Sequence, residues 1–329
     1  MSVTQTRRRF LTTLSLAGVA SLLHPTMLAA EEALETTTIR MGKGRPCSTA
    51  EALAAEDLLR AEGFKEIAYV EVSKNGVPPA ITDGGVDFSI NFAVNHIQAI
   101  DHGAPITILA GVHSGCYELF ARKGVGSITE LKGKQVGVQA GSPALLRLMA
   151  AHVGLDPEKD FRWVDPKVKP LDQFIEGKID AFLAFPPEPQ ELRARHVGHV
   201  ILDTTVDRPW SQYFCCMVAA NREYVRRHPV ATKRALRAIF NAANFCVSDP
   251  PAVARKLVDA GVTPQYDYAL QTVSEIHYDK WRDYNAEDTV RFYALRLHEA
   301  GIIKSLPNKL IADSTDWRFL NELKRELKA

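Results

Sequence analysis

The segment with the clearest potential for binding chemistry runs from a short apolar strand through a glycine and a serine into a helix. It spans residues 131–143, LKGKQVGVQAGSP, and ends with Gly141, Ser142 and Pro143. Proline in the first turn of a helix loses no needed N–H, and serine is a favourable N-cap, so the free amides and positive dipole end of this helix face outward from the strand. The pattern predicts a pocket for an anionic or polar group. A plain capped turn is the alternative from these residues alone.

The cysteines are the second group of reactive side chains. In an oxidising compartment, an odd number of them leaves at least one free or paired between chains. Cys215 and Cys216 are neighbours on a strand-like stretch, so we expect them to point to opposite faces and not to form a bridge. Cys47 and Cys116 both follow predicted strands and could meet near His113, but a metal would need further ligands. We therefore predict neither a metal nor a cofactor. The five cysteines are Cys47, Cys116, Cys215, Cys216 and Cys246.

Alternating strands and helices must position these residues. Ser48 and Glu51 have the spacing of a capping box, which predicts a helix that begins at Ser48. The βαβ order favours an α/β fold with mostly parallel sheets and helices on their faces. Strands are predicted at residues 37–41, 67–72, 86–92, 106–112, 135–138, 161–164, 179–185, 197–202 and 210–220, and helices at residues 93–101, 143–153, 171–176, 230–246, 250–260 and 286–300.

The N-terminus has the pattern of an export signal. Residues 6–11, TRRRFL, fit the twin-arginine motif, and the apolar run that follows is too short to span a bilayer comfortably. We expect residues 1–30 to be removed, which leaves 37 basic and 39 acidic residues and a net charge of −2. A near-neutral chain of this kind is not expected to bind nucleic acid. We therefore expect a periplasmic protein.

The length that remains favours two lobes over a single core. We place lobe 1 at residues 37–122 and 218–329, and lobe 2 at residues 123–217. Gly124 and Gly126 loosen the chain at the first boundary.

Four segments carry a resemblance to a known group of proteins: residues 86–112, 128–143, 177–185 and 213–229. In these segments, and in their order along the chain, the protein resembles the exported solute-binding proteins of the nitrate, sulfonate and taurine ABC-transporter group. That group shares its fold with the thiamine-pyrimidine precursor proteins. The resemblance implies a type II periplasmic binding fold, a small-molecule ligand held between two lobes, delivery to an ABC permease, and no enzymatic activity. We also expect a monomer.

The predicted ligand residues follow the strands, because ligands of open α/β sheets lie beyond the carboxyl ends of the strands. The resemblance places ligand at Gly141 and Ser142, with Phe92 and Asn95 on the opposite wall. From the residues alone, Phe92 could equally be a core residue, and Tyr213 could simply pack at the hinge. The full predicted set is Arg45, Cys47, Asn91, Phe92, Asn95, Ser114, Cys116, Gly141, Ser142, Pro143, Phe185, Glu188 and Tyr213.

The segment Phe185-Pro186-Pro187-Glu188 departs from the resembled pattern, in which the acid precedes the proline. Glu188 would repel an anionic ligand or bind a cationic or amide-bearing part of a mixed one, which puts a simple sulfonate or nitrate in doubt. The alternative is that Glu188 only complements the dipole of its helix.

Two other functions remain open. One is an enzyme related to the pyrimidine-synthesising proteins of the same fold, which use a dense cysteine cluster and a histidine; here only Cys215 and Cys216 are adjacent, and in a different place. The other is a solute sensor that does not serve a permease.

Overall fold

The computed structural model describes residues 32–71, 81, 84–138 and 143–327. The predicted signal, residues 1–30, lies outside these residues, and so do Gly141 and Ser142. The strands in chain order are β1 (Thr38–Lys43), β2 (Glu66–Glu71), β3 (Phe88–Phe92), β4 (Ile106–His113), β5 (Glu118–Ala121), β6 (Gln135–Val138), β7 (Arg162–Trp163), β8 (Ala181–Ala184), β9 (His199–Asp203) and β10 (Cys216–Asn221).

Many of the helices begin with a proline at their first position, where its missing N–H costs no hydrogen bond. The helices are α1 (Pro46–Ala54), α2 (Glu56–Ala61), α3 (Ala93–Asp101), α4 (Pro143–His152), α5 (Pro157–Asp160), α6 (Pro170–Ile175), α7 (Glu188–Ala194), α8 (Arg222–Arg227), α9 (Pro229–Ser248), α10 (Pro250–Asp259), α11 (Tyr266–Glu275), α12 (Ala286–Glu299), α13 (Pro307–Ser314) and α14 (Arg318–Glu326). No helix within the described ranges combines the length and apolar content that crossing a bilayer requires.

The strands form two five-stranded sheets, in the orders β2-β1-β3-β10-β4 and β7-β6-β8-β5-β9. In each sheet four strands run in one direction and one strand runs against them: β10 is antiparallel to its neighbours β3 and β4, and β5 is antiparallel to its neighbours β8 and β9. Each sheet is therefore mixed and mostly parallel, with helices on its faces, which confirms the predicted fold class. Strand β4 lies at the edge of the first sheet, yet it is buried along its whole length because other parts of the chain cover it.

The chain passes between the two sheets twice. It leaves the first sheet after His113 and enters the second at Glu118, and it returns between Asp203 and Cys216. The predicted lobe boundaries, after residues 122 and 217, lie a few residues beyond these changes of sheet, and the lobes as such stay a prediction.

The two crossing segments are bonded to each other. The Tyr117 amide donates to Thr204 Oγ1 at 2.9 Å, and the Thr204 amide donates to the Tyr117 carbonyl at 2.9 Å. Gly115, at a φ of +78°, lies so close to Thr205 that a Cβ there would be 2.5 Å from Thr205 Oγ1. A side chain at position 115 would thus both strain the backbone and separate the crossing segments.

The predicted capping box at Ser48 and Glu51 was wrong. Helix α1 begins two residues earlier, at Pro46, and no side chain caps it. Ser48 Oγ instead donates back to the carbonyl of Arg45 at 3.2 Å. Because Ser48 lies inside the helix, the side chain of Glu51 is available for another partner.

Candidate functional site

A run of aromatic rings connects the two sheets. Phe92, at the end of β3, lies 5.2 Å from the ring of Tyr117, which belongs to the first crossing. Tyr117 in turn lies 5.2 Å from Phe185, which directly follows β8 of the second sheet. Tyr293 of α12 contacts Phe92 from the other side at 5.7 Å. These four residues form the aromatic wall, which is buried.

Arg45 and Glu188 both meet the aromatic wall at Phe185. The guanidinium carbon of Arg45 lies 4.5 Å from the centre of the Phe185 ring, a cation–π contact. Glu188 Oε2 accepts the Phe185 amide at 2.9 Å. Burial raises the pKa of Glu188 to about 8, although the Phe185 amide and the charge of Arg45 act in the opposite direction. Near neutral pH this carboxyl is therefore mostly uncharged.

Several of the other predicted ligand residues make contacts within the protein. Asn95 Nδ2 donates to Asn91 Oδ1 at 3.2 Å, and the backbone of Ser114 pairs with that of His277. Tyr213 stacks on Phe292 of α12 with ring centres 4.0 Å apart. Pro143 is the first residue of α4, as predicted. The binding roles of these residues stay predictions.

A cavity of about 370 Å³ lies beside the first crossing. The side chain of Arg193, in α7, lines this cavity and forms two ion pairs. One is with Glu118, and the other is with Glu275 Oε2 of α11 at 2.6 Å. Among the predicted ligand residues, Cys116 lines this cavity. Its volume is within the range of small-molecule sites.

Four buried residues from separate segments converge where the chain crosses between the sheets. The Sγ atoms of Cys47, Cys116 and Cys216 and one imidazole nitrogen of His113 all lie within 4.8 Å of one another. We call these four residues the thiol cluster. Cys47 and Cys116 thus meet, and Cys216 joins them.

Cys215 lies beside the thiol cluster, with its Sγ 3.9 Å from that of Cys216. The expectation that these two side chains point to opposite faces was therefore wrong. Strand β10 starts only at Cys216, and its register shifts between Cys216 and Met217. All five cysteines are free and buried.

His113 is held in place by Glu51. Its Nδ1 lies 2.9 Å from Glu51 Oε2, and both side chains are fully buried. Its Nε2 and the second oxygen of Glu51 make no hydrogen bond within the part of the chain that the structure describes. Burial disfavours the imidazolium, but the Glu51 carboxylate outweighs that effect and raises the pKa of His113.

The thiols influence one another's ionisation. Burial raises the pKa of Cys47 and of Cys116. Burial would also raise the pKa of Cys215, but hydrogen bonds from the Cys116 and Cys216 thiols outweigh it and lower that pKa to about 6. One negative charge can therefore be held among these sulfurs.

Sequence reasoning missed Glu51, Tyr117, Cys216 and Tyr293 as members of this region. Cys216 lies opposite both Phe92 and His113 in the strand register. An antiparallel pairing of β10 with β4 would have predicted that neighbourhood, but the sequence indicated only mostly parallel strands.

Residues 60–253 match the family model described as NMT1/THI5 like. The chain belongs to the NMT1/THI5-like family. A curated relative is the yeast (Saccharomyces cerevisiae) protein 4-amino-5-hydroxymethyl-2-methylpyrimidine phosphate synthase THI13, which is 27% identical over 219 residues. That alignment covers 60% of this chain and 63% of the yeast protein, so this NMT1/THI5-like chain spans less than two thirds of its relative.

Solved structures share the fold of this NMT1/THI5-like chain over most of its length. The alkanesulfonate-binding protein SsuA from Xanthomonas axonopodis pv. citri, bound to MOPS, aligns with a TM-score of 0.68 at 16% identity, over 87% of this chain and 100% of SsuA. The periplasmic nitrate-binding protein NrtA from Synechocystis PCC 6803 aligns with a TM-score of 0.72 at 14% identity, over 90% of each chain. The fold is therefore that of the periplasmic binding proteins.

Proposed function

We propose that the chain is an extracytoplasmic solute receptor, which binds a small organic ligand between its two lobes and delivers it to an ABC permease. The main support is the aromatic wall, because rings from both sheets meet there and Arg45 adds a cation beside Phe185. These rings are buried in the structure, so a ligand would reach the wall only when the lobes move apart, and it would then contact both lobes at once. Binding of this kind favours a closed form through contacts that the open form lacks. The fold shared with SsuA and NrtA supports a periplasmic receptor, and we propose that it is a monomer.

The charge of the wall favours an anionic or mixed ligand with an apolar body. Arg45 offers a planar guanidinium that can bind a carboxylate or sulfonate through two hydrogen bonds. Glu188 at a pKa of about 8 adds little negative charge near neutral pH, so it opposes an anion less than its residue type suggests. The rings supply apolar and stacking contact for the rest of the ligand.

A thermal-shift screen of the mature chain tests the proposal, with sulfonates, carboxylates, aromatic acids and pyrimidines as the candidates. A true ligand at a hundred times its Kd stabilises the folded state by about 2.7 kcal/mol and raises the Tm accordingly. Arg45→Gln should remove most of the Tm shift. Arg162→Gln, at an exposed position on β7, is the matched control and should keep it. The proposal fails if no compound of any class raises the Tm.

A second function is favoured by one observation, the thiol cluster with its histidine, His113, together with the similarity to the yeast synthase. In that case the chain would be a cysteine- and histidine-dependent enzyme of pyrimidine synthesis. Mass spectrometry of the chain after incubation with iron distinguishes the two. Product together with loss of a histidine supports the enzyme, whereas an unchanged chain without product supports the receptor.

A further inference from the structure

We propose that the thiol cluster is a tetrahedral zinc site, with Cys47, His113, Cys116 and Cys216 as its protein ligands. Three thiolates and one imidazole are a ligand set that zinc commonly takes in closed sites. The site is separate from the proposed solute receptor activity, and either could be present without the other.

The separations of the ligand atoms fit a metal centre. With Zn–S bonds of about 2.3 Å, two sulfurs of a tetrahedral site lie about 3.8 Å apart. The four candidate atoms all lie within 4.8 Å of one another, so each pair would need to move closer by about 1.3 Å or less to reach the separations of a tetrahedral site. A disulfide would instead need two sulfurs at about 2.05 Å, and the five cysteines are free.

The orientation of His113 is an independent indication of a ligand. The Nδ1 atom of His113 is hydrogen-bonded to the Glu51 carboxylate. Its Nε2 atom is therefore the nitrogen that can bind a metal. Nε2 is fully buried and has no hydrogen-bond partner among the described residues. Burying an unsatisfied polar atom costs free energy, and a metal ion would remove that cost. A carboxylate that holds the far nitrogen of a metal-binding histidine is a recurrent arrangement in zinc sites.

Zinc binding would displace the proton of the buried Cys47 thiol. Cys47 is the second residue of the nine-residue helix α1, so the resulting negative charge would lie near the positive end of the helix dipole. The ligands are buried, and four protein ligands would fill the coordination of zinc without a water molecule. Such a closed site is structural and does not bind substrate.

Zinc at this position would link both crossings to the first sheet through its coordination bonds. Cys116 lies in the first crossing, between β4 and β5, and Cys216 ends the second crossing at the start of β10. Cys47 and His113 belong to α1 and β4 of the first sheet's lobe. The metal would therefore fix the geometry of the segments about which the lobes move.

Metal reconstitution of the mature chain tests the site. The protein is stripped with a chelator, kept reduced with a phosphine, loaded with Zn²⁺, desalted and measured by elemental analysis. We expect one zinc per chain and a higher Tm in the loaded form. Co²⁺ in place of zinc should give thiolate charge-transfer bands and the visible bands of tetrahedral cobalt.

Variants separate the site from general damage to the core. Cys116→Ser and Cys216→Ser should each lose the zinc and the cobalt bands, whereas Cys246→Ser, at another buried cysteine, should keep both. Glu51→Gln, which changes a positioning residue, should keep the cobalt bands but weaken zinc affinity about 10- to 100-fold.

Three results would overturn the assignment. They are no retained zinc in the reduced wild type, loss of zinc in Cys246→Ser to the same extent as in Cys116→Ser, or retention of Cu⁺ but not Zn²⁺ when the two are offered in parallel. Because the thermal-shift screen for solutes can be run on the stripped protein, failure of the zinc site leaves the receptor proposal standing.

Discussion

At the scale of single residues, Glu188 shows how burial changes the meaning of a charge in the sequence. As a residue type it is an anion that should repel anionic solutes. In the fold it is buried against Phe185, and its pKa of about 8 makes it mostly neutral at pH 7. The sequence identified the residue as unusual, but the direction of its effect depends on burial, which the sequence does not reveal.

This carboxyl should make stability depend on pH. Its pKa is about 8 in the folded state and near 4.5 when unfolded, so between these values the folded protein keeps a proton that the unfolded chain releases. The free energy of unfolding should therefore fall as pH rises through this window, by up to about 1.4 kcal/mol per pH unit, and level off above it. Urea titrations at pH values between 5 and 9, spaced by about one pH unit, measure this slope.

The variant Glu188→Gln should be free of that contribution, because an amide does not ionise. Glu191→Gln changes a partly exposed residue of the same helix and should retain the wild-type slope. Equal slopes for wild type and Glu188→Gln would contradict the assignment of the raised pKa to Glu188.

Glu51 is a residue whose role sequence reasoning misjudged. The spacing from Ser48 to Glu51 fits a capping box, but the same segment also carries Pro46, and proline at the first helical position sets the helix start two residues earlier. Glu51 then lies one turn inside the helix on its buried face, where His113 is its partner. The partner lies 62 positions away along the chain, so only the tertiary fold reveals the pair.

At the scale of elements, β10 brings the candidate sites together. It enters the first sheet between β3 and β4 and runs antiparallel to both, which places Cys216 beside Phe92 and His113. Strand order and direction depend on which strands pair across long stretches of chain. The alternation of strands and helices therefore predicted a mostly parallel sheet correctly, but it did not predict this neighbourhood.

Gly111 leaves room for a buried ring next to the start of β10 because it has no side chain. A Cβ at this position in β4 would lie 2.0 Å from the ring of Phe214, which is fully buried. Phe214 directly precedes Cys215 and Cys216, so moving its ring would displace the start of β10. Gly111→Ala should lower the free energy of unfolding by about 1–3 kcal/mol, the usual cost of overpacking a core. Denaturant titration measures the change.

Gly126→Ala is the matched control for that variant. A Cβ at Gly126 would meet no atom nearer than 3.9 Å, so the substitution should change stability little. Equal stability of Gly111→Ala and wild type would show that the ring of Phe214 moves aside freely.

The elements that the sequence predicted well are long or have clear boundaries. Helices α9 and α10 begin at proline and carry a regular apolar face, and both were predicted to within a few residues. Strand β5, which has four residues, was missed. The stretch 210–220 was predicted as one strand, but it contains the 3-10 turn Trp210–Gln212 before β10 begins.

At the scale of the whole molecule, the two-sheet architecture could be predicted from the sequence. The groups of side chains that meet where the chain crosses between the sheets could not. The order of strands and helices and the four resembling segments were sufficient for the fold. The aromatic wall and the thiol cluster are each assembled from distant parts of the chain. Their members, apart from residues that follow strands, carry no local pattern that would group them.

In the proposed function, the two crossings act as hinges. The lobes close on each other at the aromatic wall. The crossings are bonded to each other through Tyr117 and Thr204, so they should move as one unit. A ligand that contacts Phe92 and Phe185 together would shift the equilibrium toward the closed form by its difference in affinity for the two forms.

Solution X-ray scattering of the mature chain, with and without the solute that raises its Tm most, tests this claim most directly. We predict that the solute lowers the radius of gyration of the wild type, and that Arg45→Gln shows a smaller change at the same solute concentration. An unchanged radius of gyration at saturating solute would contradict closure of two lobes around a ligand.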